Sequence, residues 1–257
     1  MEIRKLYING EWVDSVHDEW IEIENPATHE IIAKVPRGNK EDVDKAVKAA
    51  RAAFETWQYT PLEERVALMK KVVEGLESRR QELIETITKE LGSPYKVSAE
   101  VHTDPFILEA KHYIQTASEF PYEQRRLTSV VRREPVGVVG GLTPWNFPLE
   151  QIEKKVVPAL LAGNCVVLKL SQFTPLTAYI LAEEIDKAGY PAGVFNLVTG
   201  RGGEVGNALA THEDVDMISF TGSTGAGREV ARMALGNIKK IALELGGKSA
   251  AILLDGG

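Results

Sequence analysis

The sequence predicts an α/β protein with a mostly parallel sheet, an N-terminal helical block and a small β-hairpin region. Three observations carry that reading. From Ser129 onward, short apolar runs rich in β-branched residues alternate with helical stretches, the pattern of buried parallel strands joined by crossover helices. Between residues 40 and 118 the apolar positions recur at helical spacing instead. The first 35 residues read as short extended runs separated by turns.

Taken in order, Leu6-Tyr7-Ile8 and Trp12-Val13 flank Asn9-Gly10, a pair suited to the positive φ of a tight hairpin turn. Asn25-Pro26 marks another turn before the extended run 31–35. Val43, Ala46, Val47, Ala50 and Phe54 then share one helical face, as do Val66, Met69, Val73 and Leu76. Thr60-Pro61-Leu62-Glu63 reads as an N-cap followed by proline in the first turn. Gly92-Ser93-Pro94 interrupts, and a further amphipathic stretch runs to about Ala117, so three or four helices are expected. The later strands are expected at 136–139, 166–168, 194–198, 217–220, 241–243 and 250–254. No internal repeat and no flexible linker divides the chain.

Composition narrows the function. Apolar residues at 44% and charged residues at 26% exclude disorder across the 257 residues. A net charge of −7 without a basic stripe argues against nucleic acid or an anionic membrane as partner. A single cysteine leaves no disulfide framework and no multi-cysteine zinc site, and no metal is expected. The start has no apolar leader segment. The longest apolar stretch, 156–170, is broken by Asn164 and falls short of the ~20 residues of a membrane span. A cytoplasmic location is the expectation.

Parallel α/β sheets bind ligands at the carboxyl ends of their strands, so the residues after each run matter most. Five of these runs lead into segments rich in Gly, Thr, Ser, Asn and Lys, beginning at Gly140, Lys169, Thr199, Thr221 and Glu244. Glycines let backbone N–H groups approach an anion, and a helix start adds positive potential, which points to a phosphate-bearing cofactor. The common fingerprints fail. No G-x-G-x-x-G follows a strand, and Gly200-x-Gly202-x-x-x-Gly206 is one residue out of step. Ala242 stands where a P-loop ending in Gly247-Lys248-Ser249 needs glycine, and Lys248 precedes an expected strand rather than a helix.

Four motifs in order nevertheless form a family pattern: Thr143-Pro144-Trp145-Asn146-Phe147-Pro148, Lys169 with Ser171, Phe220-Thr221-Gly222-Ser223-Thr224-x-x-Gly227, and Leu243-Glu244-Leu245-Gly246-Gly247-Lys248. With Tyr7-Ile8-Asn9-Gly10-Glu11-Trp12 and Asn25-Pro26-Ala27-Thr28 they resemble the aldehyde dehydrogenase superfamily along the whole chain. The resemblance implies a Rossmann-like NAD(P)-binding domain over residues 1–247, including part of an oligomerisation hairpin near 120–135. Residues 248–257 would be the first strand of a catalytic domain that the chain does not complete. A homodimer or homotetramer is implied for the full-length form.

In that family a cysteine thiolate attacks the aldehyde, a hydride passes to the nicotinamide, and water hydrolyses the thioester. The resemblance assigns Asn146 as oxyanion donor and Glu244 as base for the water, with partial burial of Glu244 expected to raise its pKa. Read alone, Asn146 could cap a helix starting near Phe147-Pro148, and Glu244 could be a charge leaving a strand into solvent. Lys169, followed by Ser171 and Gln172, resembles the segment that contacts the adenosine ribose. Gly222 and Ser223 match the pyrophosphate position, flanked by Phe220, Thr221 and, on the last motif, Leu245. Thr143, Pro144 and Trp145 match the cleft lining, and Gly202 and Gly206 match a segment near the adenine. Gln172 stands where the family usually carries a carboxylate that would repel a 2′-phosphate, so either NAD or NADP is expected. The family's nucleophile lies in a Gly-Gln-x-Cys context past Gly257. Cys165, at the entrance to an apolar strand, reads as a core residue instead. The expectation is a chain that binds cofactor and carries Asn146 and Glu244 but does not oxidise an aldehyde by itself. The alternative is a non-catalytic dinucleotide-binding fragment or module.

Overall fold

The computed structural model describes residues 2–252. An N-terminal group of strands comprises β1 (Glu2–Ile3), β2 (Leu6–Ile8), β3 (Glu11–Val13), β4 (Trp20–Glu24) and β5 (Ile31–Pro36). Five helices follow: α1 (Lys40–Trp57), α2 (Leu62–Ser78), α3 (Arg80–Leu91), α4 (Tyr95–Glu100) and α5 (Asp104–Glu119). The hairpin β6 (Glu123–Arg125) and β7 (Val130–Arg132) leads into the alternating part. That part runs β8 (Val138–Leu142), α6 (Pro148–Leu161), β9 (Cys165–Lys169), α7 (Leu176–Ala188), β10 (Phe195–Leu197), α8 (Asn207–Thr211), β11 (Met217–Gly222), α9 (Thr224–Leu235) and β12 (Lys240–Leu245).

Seven strands form the main sheet in the order β12-β11-β8-β9-β10-β2-β3. The first five are mutually parallel, and the β2–β3 hairpin adds two antiparallel strands at one edge. All five parallel strands therefore end on one side of the sheet, as the loop composition implied. β8 and β9 are buried along their whole length and form the middle of the core. α6 and α7 pack on β8, β9 and β10, with α2 laid behind them. α1 packs on the same central strands, and α8 joins it to α9, which covers β11 and β12. β1, β5 and β4 form a separate three-stranded sheet. The order of connection reverses at β8: the chain runs outward through β9 and β10, then crosses back to β11 on the other side. Such a switch point opens a crevice at the strands' carboxyl ends.

The Asn9-Gly10 turn has the positive φ angles expected, 55° and 78°. Several expectations need correction. The helical block has five helices, because the short α4 follows the Gly92 break. Thr60 does not cap α2; that helix starts at Leu62 with no side-chain cap, and the Thr60 carbonyl accepts from Arg65 Nη1 at 2.9 Å. The strand expected at 136–139 starts two residues later and runs to Leu142. The Asn164 carboxamide oxygen takes the N–H groups of Val136 (2.6 Å) and Gly137 (3.1 Å), which keeps them out of the ladder. The ladder then continues through Gly140 and Gly141, where a side chain would not fit: a Cβ on Gly140 would lie 2.8 Å from Ile218 Cδ1. Of the strand expected at 250–254, residues 250–252 are irregular, and Leu253 and Leu254 lie outside the described residues. Among the described residues no helix is long and apolar enough to cross a membrane.

Candidate active site

The crevice at the switch point is a cleft of about 1010 Å³. Its walls come from the loop after β8 (Pro144, Trp145, Asn146), the end of β11 (Thr221, Gly222, Ser223) and the end of β12 (Glu244, Leu245). Three segments far apart in sequence meet here because their strands are neighbours and parallel.

The loop after β8 is pinned at its start and at its middle. The backbone N–H of Thr143, a buried residue, donates to the Lys169 carbonyl at 3.1 Å. The Thr174 hydroxyl donates to the Trp145 carbonyl at 3.0 Å. The Trp145 side chain and the following Asn146 are exposed. Asn146 does not cap α6, which begins at Pro148 without a side-chain cap. Its amide is thus available to the cleft rather than used by the fold.

At β11, Ser223 is the N-cap of α9, and its hydroxyl accepts from the Ala226 N–H at 3.2 Å. The remaining N–H groups of the first turn face outward with a partial positive charge. Gly225 has open space where a side chain would stand, while a Cβ on Gly222 would press on the Phe220 ring at 2.6 Å. A Cβ on Gly227 would overlap Leu245, so the helix start sits close against β12. A glycine-lined helix start opening into a cleft fits a phosphate group.

Glu244 is exposed, so the partial burial expected for it is not found. β12 is the edge strand, with β11 alone beside it. Lys155 on α6 escaped the sequence reading. It is buried, lines the cleft and donates from Nζ to the Thr221 hydroxyl at 2.7 Å. Burial pulls its pKa down to about 8, opposed by the charge of Glu244. The signal in the sequence was a lysine between Ile152 and Ala159 on the apolar side of a helix. Tyr113, Gln151 and Lys154 complete that wall.

Other expected residues lie outside the cleft wall. Lys169 closes β9 and is buried, its pKa pulled down to about 8 by that burial. The Ser171 hydroxyl accepts from the Phe173 N–H at 3.2 Å, shaping the loop. Gln172 lines a second cavity of about 430 Å³, and Trp145 is shared between the two. Gly202 and Gly206 bound a wide helical turn leading into α8. Cys165 is fully buried in the core, and burial pushes its thiol up to about 12. Among the described residues no group of His, Cys, Asp and Glu could hold a metal ion.

The sequence model of the aldehyde dehydrogenase family matches residues 12–257. A Staphylococcus aureus protein bearing the aldehyde dehydrogenase name is 47% identical over 254 residues, covering 98% of this chain and 53% of that protein. The crystal structure of an aldehyde dehydrogenase from Bartonella henselae superposes with a TM-score of 0.95 at 39% identity, over 97% of this chain and 53% of that one. Aldehyde dehydrogenase C of Pseudomonas syringae, as a mutant with NAD+ and octanal, gives 0.92 at 42% identity, over 98% and 52%. An NAD+ complex of an aldehyde dehydrogenase from Bacillus cereus gives 0.94 at 38%, over 98% and 52%. The chain spans about half the length of these relatives.

Proposed function

From the premise that the chain belongs to the aldehyde dehydrogenase family, we propose that its cleft serves an enzyme oxidising an aldehyde to a carboxylic acid with NAD or NADP. One observation carries this reading: Asn146 and Glu244, from separate strands, line one cleft with the glycine-rich start of α9. When bound, the nicotinamide cofactor supplies the two-electron acceptor. Gly222, Ser223 and the first turn of α9 hold the pyrophosphate through backbone N–H groups. Pro144 and Trp145 wall the cleft, Thr143 holds the start of their loop through its backbone, and Phe220, Thr221 and Leu245 support the helix start. Lys169, Ser171 and Gln172 face the adenosine ribose, and Gly202 and Gly206 border the adenine. The neutral Gln172 admits either a ribose hydroxyl or a 2′-phosphate, so both cofactors bind.

The Asn146 amide donates to the oxygen of the aldehyde as negative charge develops there. Glu244 takes the proton from the attacking water. A thiolate must first attack the aldehyde carbon, and the buried Cys165 cannot do so. The chain by itself therefore binds cofactor and is inactive; turnover belongs to the whole protein. Residues 1–247 act as the NAD(P)-binding domain and 248–257 begin the catalytic one. β6 and β7 join a neighbouring subunit in a homodimer or homotetramer, supported by the exposure of Leu127, Val130 and Val131. The enzyme works in the cytoplasm.

The test measures NAD(P)H formation with a panel of aldehydes. In the whole protein, Asn146→Ala should lower kcat by ~10²–10³ and Glu244→Gln by ~10²–10⁴. The 257-residue chain should give none. Activity in the chain that vanishes in Cys165→Ala would overturn the proposal.

A further inference from the structure

Glu90 lies near the end of α3 and is only 2% exposed, yet its carboxylate serves another helix. One oxygen accepts from the backbone N–H of Leu176 at 2.6 Å. The other accepts from the N–H of Thr177 at 3.1 Å and from the Thr177 hydroxyl. Leu176 and Thr177 are the first residues of α7, which has Pro175 at its N-cap and no side-chain cap of its own. The open N–H donors of that helix start are thus satisfied from α3.

What this anchors is the loop 170–175 between β9 and α7, which carries Ser171 and Gln172. The loop leaves β9 at Lys169, ties to the Trp145 carbonyl through Thr174, and enters α7 where Glu90 holds it. Glu90, Trp145, Gln172 and Phe173 line the same cavity of about 430 Å³. A carboxylate suits the place because both its oxygens accept. An amide of the same shape would present N–H to N–H at one of the two contacts.

We propose that Glu90 is a positioning residue for the adenosine side of the cofactor site. Through the start of α7 it fixes the loop 170–175 against Trp145 and so sets where Gln172 meets the ribose. This rests on the cofactor reading given above. It predicts a division of effects, because the pyrophosphate position at α9 is built by other elements.

The test is calorimetric titration of the chain with adenosine 5′-monophosphate and, separately, with inorganic pyrophosphate. Glu90→Gln should weaken the nucleotide at least fivefold and change pyrophosphate binding less than twofold, with circular dichroism confirming the fold. Thr177→Val is the milder second variant and keeps the question open to measurement if Glu90→Gln does not fold. It removes one donor to Glu90 and should weaken the nucleotide at least twofold while sparing pyrophosphate. Equal binding of both probes in the folded variants, or parallel weakening of both, would overturn the inference. Failure of the unmutated chain to bind either probe would instead remove the cofactor reading, and this inference with it.

Discussion

Replacing Glu153 by glutamine should stabilise the protein, and by an amount that grows with pH. Glu153 sits on α6, is only 2% exposed, and neither carboxyl oxygen has a hydrogen-bond partner among the described residues. Burial pushes its pKa from 4.5 up to about 9, helped by the charges of Glu109 and Glu150. Lys154 opposes this, but its ammonium is already engaged by Glu150 at 2.5 Å and lies 3.9 Å from Glu109. The folded carboxyl thus keeps its proton where the unfolded one has lost it, so folding must take up a proton. Stability is lost as pH rises from the unfolded value towards the folded one. Glutamine keeps the shape and needs no proton. The advantage of Glu153→Gln should therefore grow by about 2.5 kcal/mol between pH 5 and pH 7. Urea unfolding of both proteins at those two pH values, followed by circular dichroism, measures it. An advantage that does not change with pH would refute the reasoning.

Asn164→Ala should destabilise the chain by about 3 kcal/mol, because it strands the N–H groups of Val136 and Gly137; denaturant unfolding reads this directly. Cys165 should resist a thiol reagent in the native protein and react only on unfolding, since it is fully buried with its thiol pushed up to about 12. Leu160→Ala should cost about 2–5 kcal/mol in the same unfolding assay, since Leu160 on α6 is fully buried in the hydrophobic core.

What the sequence made legible was local. Asn9-Gly10 announced its turn, Gly92 closed α3 in the left-handed conformation, and the apolar runs from β8 to β12 announced strands. Asn146, Gly222, Ser223 and Glu244 could be picked out because they stand in family-like motifs at or just past the carboxyl ends of the expected strands. What stayed hidden depends on partners distant in the chain. The start of β8 is set by Asn164 and by Asp216, whose carboxylate takes the Val138 N–H at 2.7 Å. The cap on α7 comes from Glu90, 86 residues before it. The exposure of Glu244 follows from β12 lying at the sheet edge, which strand order decides and composition does not. Lys155 was hidden for the same reason: its partner Thr221 lies 66 residues on, and the two meet only because α6 packs behind the sheet.

On the proposed reading, the cleft between β8, β11 and β12 binds a nicotinamide dinucleotide. Calorimetric titration of the 257-residue chain with NAD and with NADP tests it most directly. Saturable binding of both is expected, weak and within about tenfold of each other, a gap of ~1.4 kcal/mol, because Gln172 carries no charge to repel the 2′-phosphate. A folded chain giving no heat with either cofactor at millimolar concentration would contradict the claim, and a preference for NAD above a hundredfold would contradict the role given to Gln172.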